Sequence, residues 1–407
     1  MVNEKMRQLG SCRSAIREIF EYGKQRTAQV GAENVFDFSL GNPSVPAPKI
    51  VTDTLQKLIS QTPPEQLHAY TSAPGDGQVR QAIAQYIRDN FGLDARETDI
   101  YMTAGAAASL TITLTALVED GDEVIAFAPY FPEYQVFVEK TGAKFVPVNS
   151  AEKTFQIDGE ALEKAINSRT KAVIVNSPNN PTGVVLTEES IKTLSRVLAE
   201  KSREFGHPIY LIADEPYREL VYGDAKVPYI PLYYKNTLVC YSFSKSLSLP
   251  GERIGYILVS PQTEDGQAVY DAVCGAGRAL GYVCAPALFQ QLVKECLGKT
   301  ADISVYDANR QLLYKALTEY GFEAVYPQGA FYLFVKAPEA DAAAFCEKAK
   351  AFDLLLVPAD SFGYPGYVRI AYCVTTEKIQ RSLPAFRKLA EGRMNYGSFT
   401  GSQKDHQ

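Results

Sequence analysis

The stretch TLVCYSFSKSLSLPGERIGYILVS (residues 237–260) places two apolar runs around a Ser-rich turn that carries Lys245 and Arg253. Working outward, KAVIVN (171–176) runs into SPNNPTG with Asn180, and PIYLIA (208–213) runs into DEPY with Asp214 and Tyr217. DIYMTA (99–104), EVIAFA (123–128) and AKFVPVN (143–149) extend the same rhythm of short apolar runs separated by helical patterns. That alternation predicts an α/β fold whose large domain has a mainly parallel seven-stranded sheet flanked by helices. Ahead of it, QVRQAIAQYIRDNFG (78–92) puts Val79, Ile83, Tyr86, Ile87 and Phe91 on one helical face. Beyond residue 260 the pattern changes. A long helical stretch near 263–320 leads to YPQGAFYLFVKAP (326–338), another helix, LLLVP (354–358) and YVRIAYC (367–373), which suits a smaller α+β domain. The expected division is 46–300 for the large domain and 1–45 plus 301–393 for an N-terminal arm and small domain. The last stretch, MNYGSFTGSQKDHQ (394–407), lacks apolar periodicity and reads as a flexible tail.

Composition narrows the function. The 407 residues are 46% hydrophobic and 22% charged, with net charge −6 and no long basic run, which disfavours nucleic acid or an anionic membrane as partner. The N-terminus has basic residues but no apolar run of about 7 to 15 followed by a cleavage site. No uninterrupted apolar stretch approaches ~20 residues. A soluble, cytoplasmic protein is expected. Seven widely spaced cysteines without a C-x-x-C pair, and three histidines without neighbouring ligands, predict reduced thiols and no metal site.

In a parallel α/β sheet, functional groups gather beyond the carboxyl ends of the strands. Three consecutive runs end in polar clusters there, which suggests one site. Lys245, flanked by Ser242, Ser244 and the cationic Arg253, sits where burial and a nearby cation lower an amine's pKa and make it nucleophilic toward aldehydes. The two hydroxyls and the guanidinium suit a phosphate. Alternatively, Lys245 is a solvated lysine in a Ser-rich loop. Asp214 follows a run of apolar residues, so its carboxylate needs a cationic partner: an arginine, or a pyridinium nitrogen. A charge pair ~4 Å apart at an effective dielectric of ~20 is worth ~4 kcal/mol, on the order of three pKa units, enough to keep such a ring protonated.

In their order, Gly41-Asn42-Pro43, Tyr70 before PGDGQVRQAI, TAGAAASL (103–110), Pro129-Tyr130-Phe131, NNPTG, DEPY, SFSKSLSLPGERIG, PQGAFYLF and YVRIAYC resemble the fold-type-I pyridoxal-phosphate enzymes, specifically the class I/II aminotransferases. The resemblance spans nearly the whole chain. It implies pyridoxal 5′-phosphate as cofactor, with Lys245 as Schiff-base lysine and general acid/base and Asp214 as partner of the pyridine nitrogen. Asn180 and Tyr217 would donate to the phenolic oxygen. Ser242, Ser244, Arg253 and the backbone around Gly105, Ala106 and Ala107 would hold the phosphate, at a helix N-terminus that favours anions. Ala106 and Ala107 depart from relatives with Ser or Thr, so only N–H groups are offered there. Phe131 would stack on the ring, with Tyr130 and Tyr134 as neighbours able to exchange roles with it. Tyr70 would reach the phosphate of a neighbouring subunit in a homodimer, or else be buried. Arg369 would grip the substrate's α-carboxylate, with Gly41 and Asn42 at the same end; the alternative is a buried salt bridge.

The implied activity is transamination between an L-amino acid and a 2-oxo acid, with aspartate/glutamate or aromatic amino acids as candidates. Arg278 is a candidate for a side-chain carboxylate by position only. A carbon–sulfur β-lyase shares the same residues. CGAGRALG (274–281) raises a distant nicotinamide-dependent dehydrogenase, but it does not follow a strand. A ligand-sensing regulator would carry an added DNA-binding module.

Overall fold

A computed structural model describes residues 2–11 and 15–397. Among them the strands are β1 (Phe36–Asp37), β2 (Ile100–Thr103), β3 (Glu123–Ala128), β4 (Lys144–Asn149), β5 (Thr170–Asn176), β6 (Tyr210–Asp214), β7 (Thr237–Ser242) and β8 (Gly255–Val259). Further on come β9 (Ala324–Val325), β10 (Tyr332–Lys336), β11 (Leu354–Leu355), β12 (Val357–Pro358) and β13 (Tyr367–Ala371). The seven-stranded sheet has the order β2-β8-β7-β6-β5-β3-β4, parallel except where β8 runs antiparallel to β7 and β2. The predicted α/β architecture is therefore present.

Its central strands read as unbroken apolar runs because helices cover both faces. Side chains still alternate: Val173, Leu211, Val239 and Leu258 enter one core, while Ala172, Ile212, Leu238 and Ile257 enter the core on the opposite face. β4 lies at the edge, and there Lys144 and Pro147 discourage further strand pairing.

Topology sets the position of the site. β5, β6 and β7 end on Asn176, Asp214 and Ser242, and Asn176 is in register with Asp214. Because β8 is antiparallel, it begins where its neighbours finish, with Gly255 opposite both Ser242 and Thr103. Arg253, two residues earlier, therefore arrives at the same sheet edge.

A four-stranded sheet, β12-β13-β10-β9, and the β1–β11 pair form the remainder. β1 pairs in parallel with β11, and Ile19 and Val35 pack with Phe334 and Leu355 in one apolar cluster. Arg26 pairs with Asp353 at 2.6 Å. The N-terminal segment is thus fastened to the C-terminal third of the chain.

Several details differ from the expectation. The helical stretch of 263–320 is three helices, Gly266–Leu280, Ala287–Glu295 and Ser304–Glu319, with Gly281 in the left-handed region ending the first. Tyr86 and Phe91 are only half-buried, and Ala84 takes a place in the core instead. The expected tail begins inside a helix, Thr376–Gly397; residues 398–407, and Cys12, lie outside the described residues.

Candidate active site

At the carboxyl edge of the large sheet a cleft of about 350 Å³ opens toward β10 and β13 of the smaller sheet. It is lined by Gly41, Ala106, Ala107, Phe131, Asn180, Asp214, Tyr217, Ser242, Ser244, Lys245, Arg253 and Arg369. Gly105 adjoins it; Tyr70 and Arg278 do not. Tyr70 stands 94% exposed, which removes the alternative of a buried side chain, and Arg278 is exposed on the helix Gly266–Leu280.

Lys245 lies on the single-turn helix Phe243–Ser246, capped by the Ser242 hydroxyl. Its Nζ donates to the Gly41 carbonyl at 2.7 Å and stands 5.5 Å from the Phe331 ring centroid. Burial lowers its pKa to about 8; Cys373 opposes this, while Arg253 and Arg369 add to it. The amine therefore reaches its neutral, nucleophilic form within an ordinary working range.

Asp214 ends β6 and is buried. Tyr134 donates to its Oδ2 at 2.5 Å, and its Oδ1 has no hydrogen-bond partner. Burial raises the carboxyl to about 7, the Tyr134 hydrogen bond opposes this, and Glu215 adds to it. Among the described residues Asp214 has no arginine or lysine partner, so the salt-bridge alternative is not what the fold builds.

The residues expected to hold a phosphate lie close together. Ser242 and Ser244 hydroxyls are 2.7 Å apart, and Ala106 and Ala107, which open the helix Ala106–Leu117, line the cleft with them. Arg253 adopts φ +51°, a strained conformation for a side-chain-bearing residue. Its guanidinium then packs so closely on Gly105 (φ +83°) that a Cβ there would sit 3.0 Å from Nη2.

Arg369 on β13 is buried without a carboxylate within ion-pair distance among the described residues. Its Nη1 donates to Asn180 Oδ1 at 3.1 Å and its Nη2 to the Ser39 carbonyl at 2.5 Å, leaving Nε unpaired. A buried guanidinium without a counter-charge is costly unless an anion joins it.

Sequence reasoning missed several groups. Asn176 donates to the Asp214 carbonyl and accepts from the Asn180 N–H, locking two strand ends together. Tyr134 partners Asp214 rather than exchanging roles with Phe131, which it meets edge-to-face. Tyr332 hydrogen-bonds Tyr217, and Ile16, Arg17 and Glu133 line the cleft. Only Asn176, as the last residue of an apolar run, carried a sequence signal for its place.

The family profile described as aminotransferase class I and II matches residues 33–386. The protein belongs to that family. It is 28% identical to an aspartate aminotransferase of Pyrococcus horikoshii, over 93% of this chain and 95% of that one. It is equally 28% identical to an aromatic-amino-acid aminotransferase of Thermococcus litoralis, over 92% and 95%. Among solved structures, an amino transferase from Eubacterium rectale is 58% identical with a TM-score of 0.95, covering 97% of this chain and 99% of that one. The aspartate aminotransferase of Thermus thermophilus with maleate gives 26% identity and a TM-score of 0.83, over 96% and 100%.

This aminotransferase is thus a pyridoxal-phosphate-dependent transferase moving an amino group between an amino acid and a 2-oxo acid. The β-lyase alternative is not favoured by relatives of this kind. The dehydrogenase alternative fails structurally, because Cys274–Leu280 is helix interior and not a strand-to-helix loop.

The buried Asp214 has a consequence for the cofactor-free protein. Its folded pKa of about 7 lies above the ordinary 3.8, so the native state holds the proton longer than the unfolded chain. Stability therefore falls as pH rises through that window and the penalty is complete above it. In thermal melts of the cofactor-free protein, Asp214→Asn is expected to melt higher than wild type above pH 7, with the gain shrinking toward pH 4. A lower melting temperature for the variant at pH 8 would refute the penalty.

Proposed function

We propose that the cleft holds pyridoxal 5′-phosphate with Lys245 as its covalent anchor, and that the observation carrying this reading is the unpaired Oδ1 of buried Asp214. A ring nitrogen that carries a proton supplies the missing donor and the missing positive charge together. Ser242, Ser244, Arg253 and the Ala106 and Ala107 amides are the proposed phosphate ligands; Asn180 and Tyr217 face the phenolic oxygen, and Phe131 stacks on the ring. Bound there, the cofactor supplies an aldehyde that an amine captures and a protonated ring that withdraws electrons from the substrate's α-carbon.

The protein's own groups do the positioning. Arg369, steadied by Asn180 and Ser39, receives the substrate's carboxylate through donors left free. Asp214 keeps the ring nitrogen protonated, since a charge pair in a dry site favours the ionised partners. The Lys245 amine, with its lowered pKa, would serve as the neutral base that accepts the substrate's α-proton and as the acid that gives it back. Lys245→Ala is expected to bind pyridoxal phosphate without its covalent visible absorbance and to lose at least ~10³-fold in turnover, the size of effect proton transfer supplies with covalent capture. Retained activity in that variant would end this assignment.

The proposed division is a large domain at 46–300 and a small one joining 1–45 to 301–393; one apolar cluster draws on Val51–Cys296, while a second gathers mostly residues beyond 300 with Phe38, Val45, Tyr217, Leu220 and Tyr222. The substrate is proposed to be a dicarboxylic or aromatic L-amino acid, the two kinds named among the relatives. A stopped-flow screen of single amino acids against the cofactor-loaded enzyme separates them. If Arg278 recognises a side-chain carboxylate, Arg278→Ala slows aspartate and glutamate about 10- to 100-fold and leaves aromatic substrates unchanged; equal rates for all remove Arg278.

A homodimer is proposed, because Tyr70 is fully displayed outside the cleft of its own chain. Sedimentation is expected to give a dimer and Tyr70→Phe to weaken pyridoxal phosphate severalfold; a fully active monomer excludes the shared site. The cytoplasm is the proposed compartment: six described cysteines are unpaired, and no described helix is long and apolar enough to cross a membrane.

A further inference from the structure

The hydroxyls of Tyr217, after β6, and Tyr332, on β10, lie 2.8 Å apart and join the two sheets across the cleft. A phenol has one proton to donate. If Tyr217 spends its proton on the cofactor's phenolic oxygen, the contact persists only with Tyr332 as donor. The surroundings of Tyr332 permit that direction, although Arg369 acts on Tyr217 in the same sense. The Arg369 guanidinium stands 4.7 Å from the Tyr332 ring centroid, and a nearby cation strengthens a phenol as donor. Burial pushes the Tyr332 phenol up to about 12, with Arg369 acting against the rise. The other titratable group facing it, Cys373, is likewise pushed up to about 12 by burial and so stays neutral.

The ring cannot easily turn away. It meets Tyr217 edge-to-face at 5.7 Å and Phe331 at 5.0 Å. Its hydroxyl lies so close to Gly41 that a Cβ there would overlap it, and the same Gly41 offers its carbonyl to Lys245. Tyr332 thus touches the backbone that holds the lysine, the phenol that faces the cofactor and the guanidinium that awaits the carboxylate.

We propose that Tyr332 is a positioning residue whose hydroxyl donates to Tyr217 and thereby directs the Tyr217 proton to the cofactor's phenolic oxygen. This rests on the placement of Tyr217 proposed above. The experiment compares Tyr332→Phe, Tyr217→Phe and the double variant, reading the dissociation constant for pyridoxal phosphate and the pH midpoint of the bound cofactor's visible absorbance. Tyr332→Phe is expected to weaken binding about 2- to 10-fold, the value of one hydrogen bond. It should also raise the midpoint, less than Tyr217→Phe does and in the same direction, because a phenolate that loses donation holds a proton more tightly. In the double variant, removing the Tyr332 hydroxyl should change nothing further. A Tyr332→Phe enzyme with wild-type affinity and midpoint, beside a shifted Tyr217→Phe, overturns the proposal and leaves the cofactor site standing. Additive effects in the double variant overturn it too, since Tyr332 would then act without Tyr217. If Tyr217→Phe itself shifts neither quantity, the placement of Tyr217 falls and the proposal falls with it.

Discussion

A carboxyl group buried at the end of a central strand, with one oxygen unpaired, is the constraint around which the rest is arranged. Burial alone would neutralise Asp214 near neutral pH. The fold retains it by giving Oδ2 the Tyr134 hydroxyl and by tying its backbone carbonyl to Asn176. Everything else in the cleft is placed relative to that point, because Asn176 and Ser242 close adjacent strands at the same sheet edge. Such an arrangement costs stability above neutral pH, and under the proposed function the free oxygen meets a protonated ring nitrogen, a trade of stability for function.

A second level of organisation links the two sheets. Lys245 reaches Gly41, Asn180 reaches Arg369, and Tyr217 reaches Tyr332, each pairing a residue at the large-sheet edge with one from the N-terminal segment or the smaller sheet. Cations converge on the cleft from both sides, Lys245 and Arg253 from one and Arg369 from the other. Their mutual repulsion helps lower the lysine pKa, and this concentration of positive charge agrees with the proposed phosphate and carboxylate positions.

The strand-end clusters were legible because an apolar run followed by polar residues has few uses other than a site at a sheet edge. Lys245, Asp214, Asn180, Ser242, Ser244 and Arg253 were found that way, and they do meet in one cleft. Tyr332 was not, and Tyr134 was placed only as a neighbour of Phe131 and not as the partner of Asp214. Both sit in aromatic surroundings that look like core packing, and their roles depend on hydroxyl partners distant in the sequence, Asp214 and Tyr217. Arg17 and Glu133 were equally invisible, since a charged residue on an amphipathic helix reads as a solvated face wherever the helix docks.

By itself the amino-acid sequence determined the α/β class, the parallel order of strands with polar ends, and the residue types available for amine, carboxylate and anion chemistry. Local periodicity suffices for these, because strand and helix patterns are set within a few residues. Only the tertiary structure decided that β8 runs antiparallel and returns Arg253 to the cleft and that, among the described residues, Arg369 lacks an acidic partner and one oxygen of Asp214 is left without a donor. Those are facts about which groups distant in the sequence enter a neighbourhood and which do not. Burial and hydrogen-bond satisfaction are properties of the packed neighbourhood, and no stretch of sequence contains them.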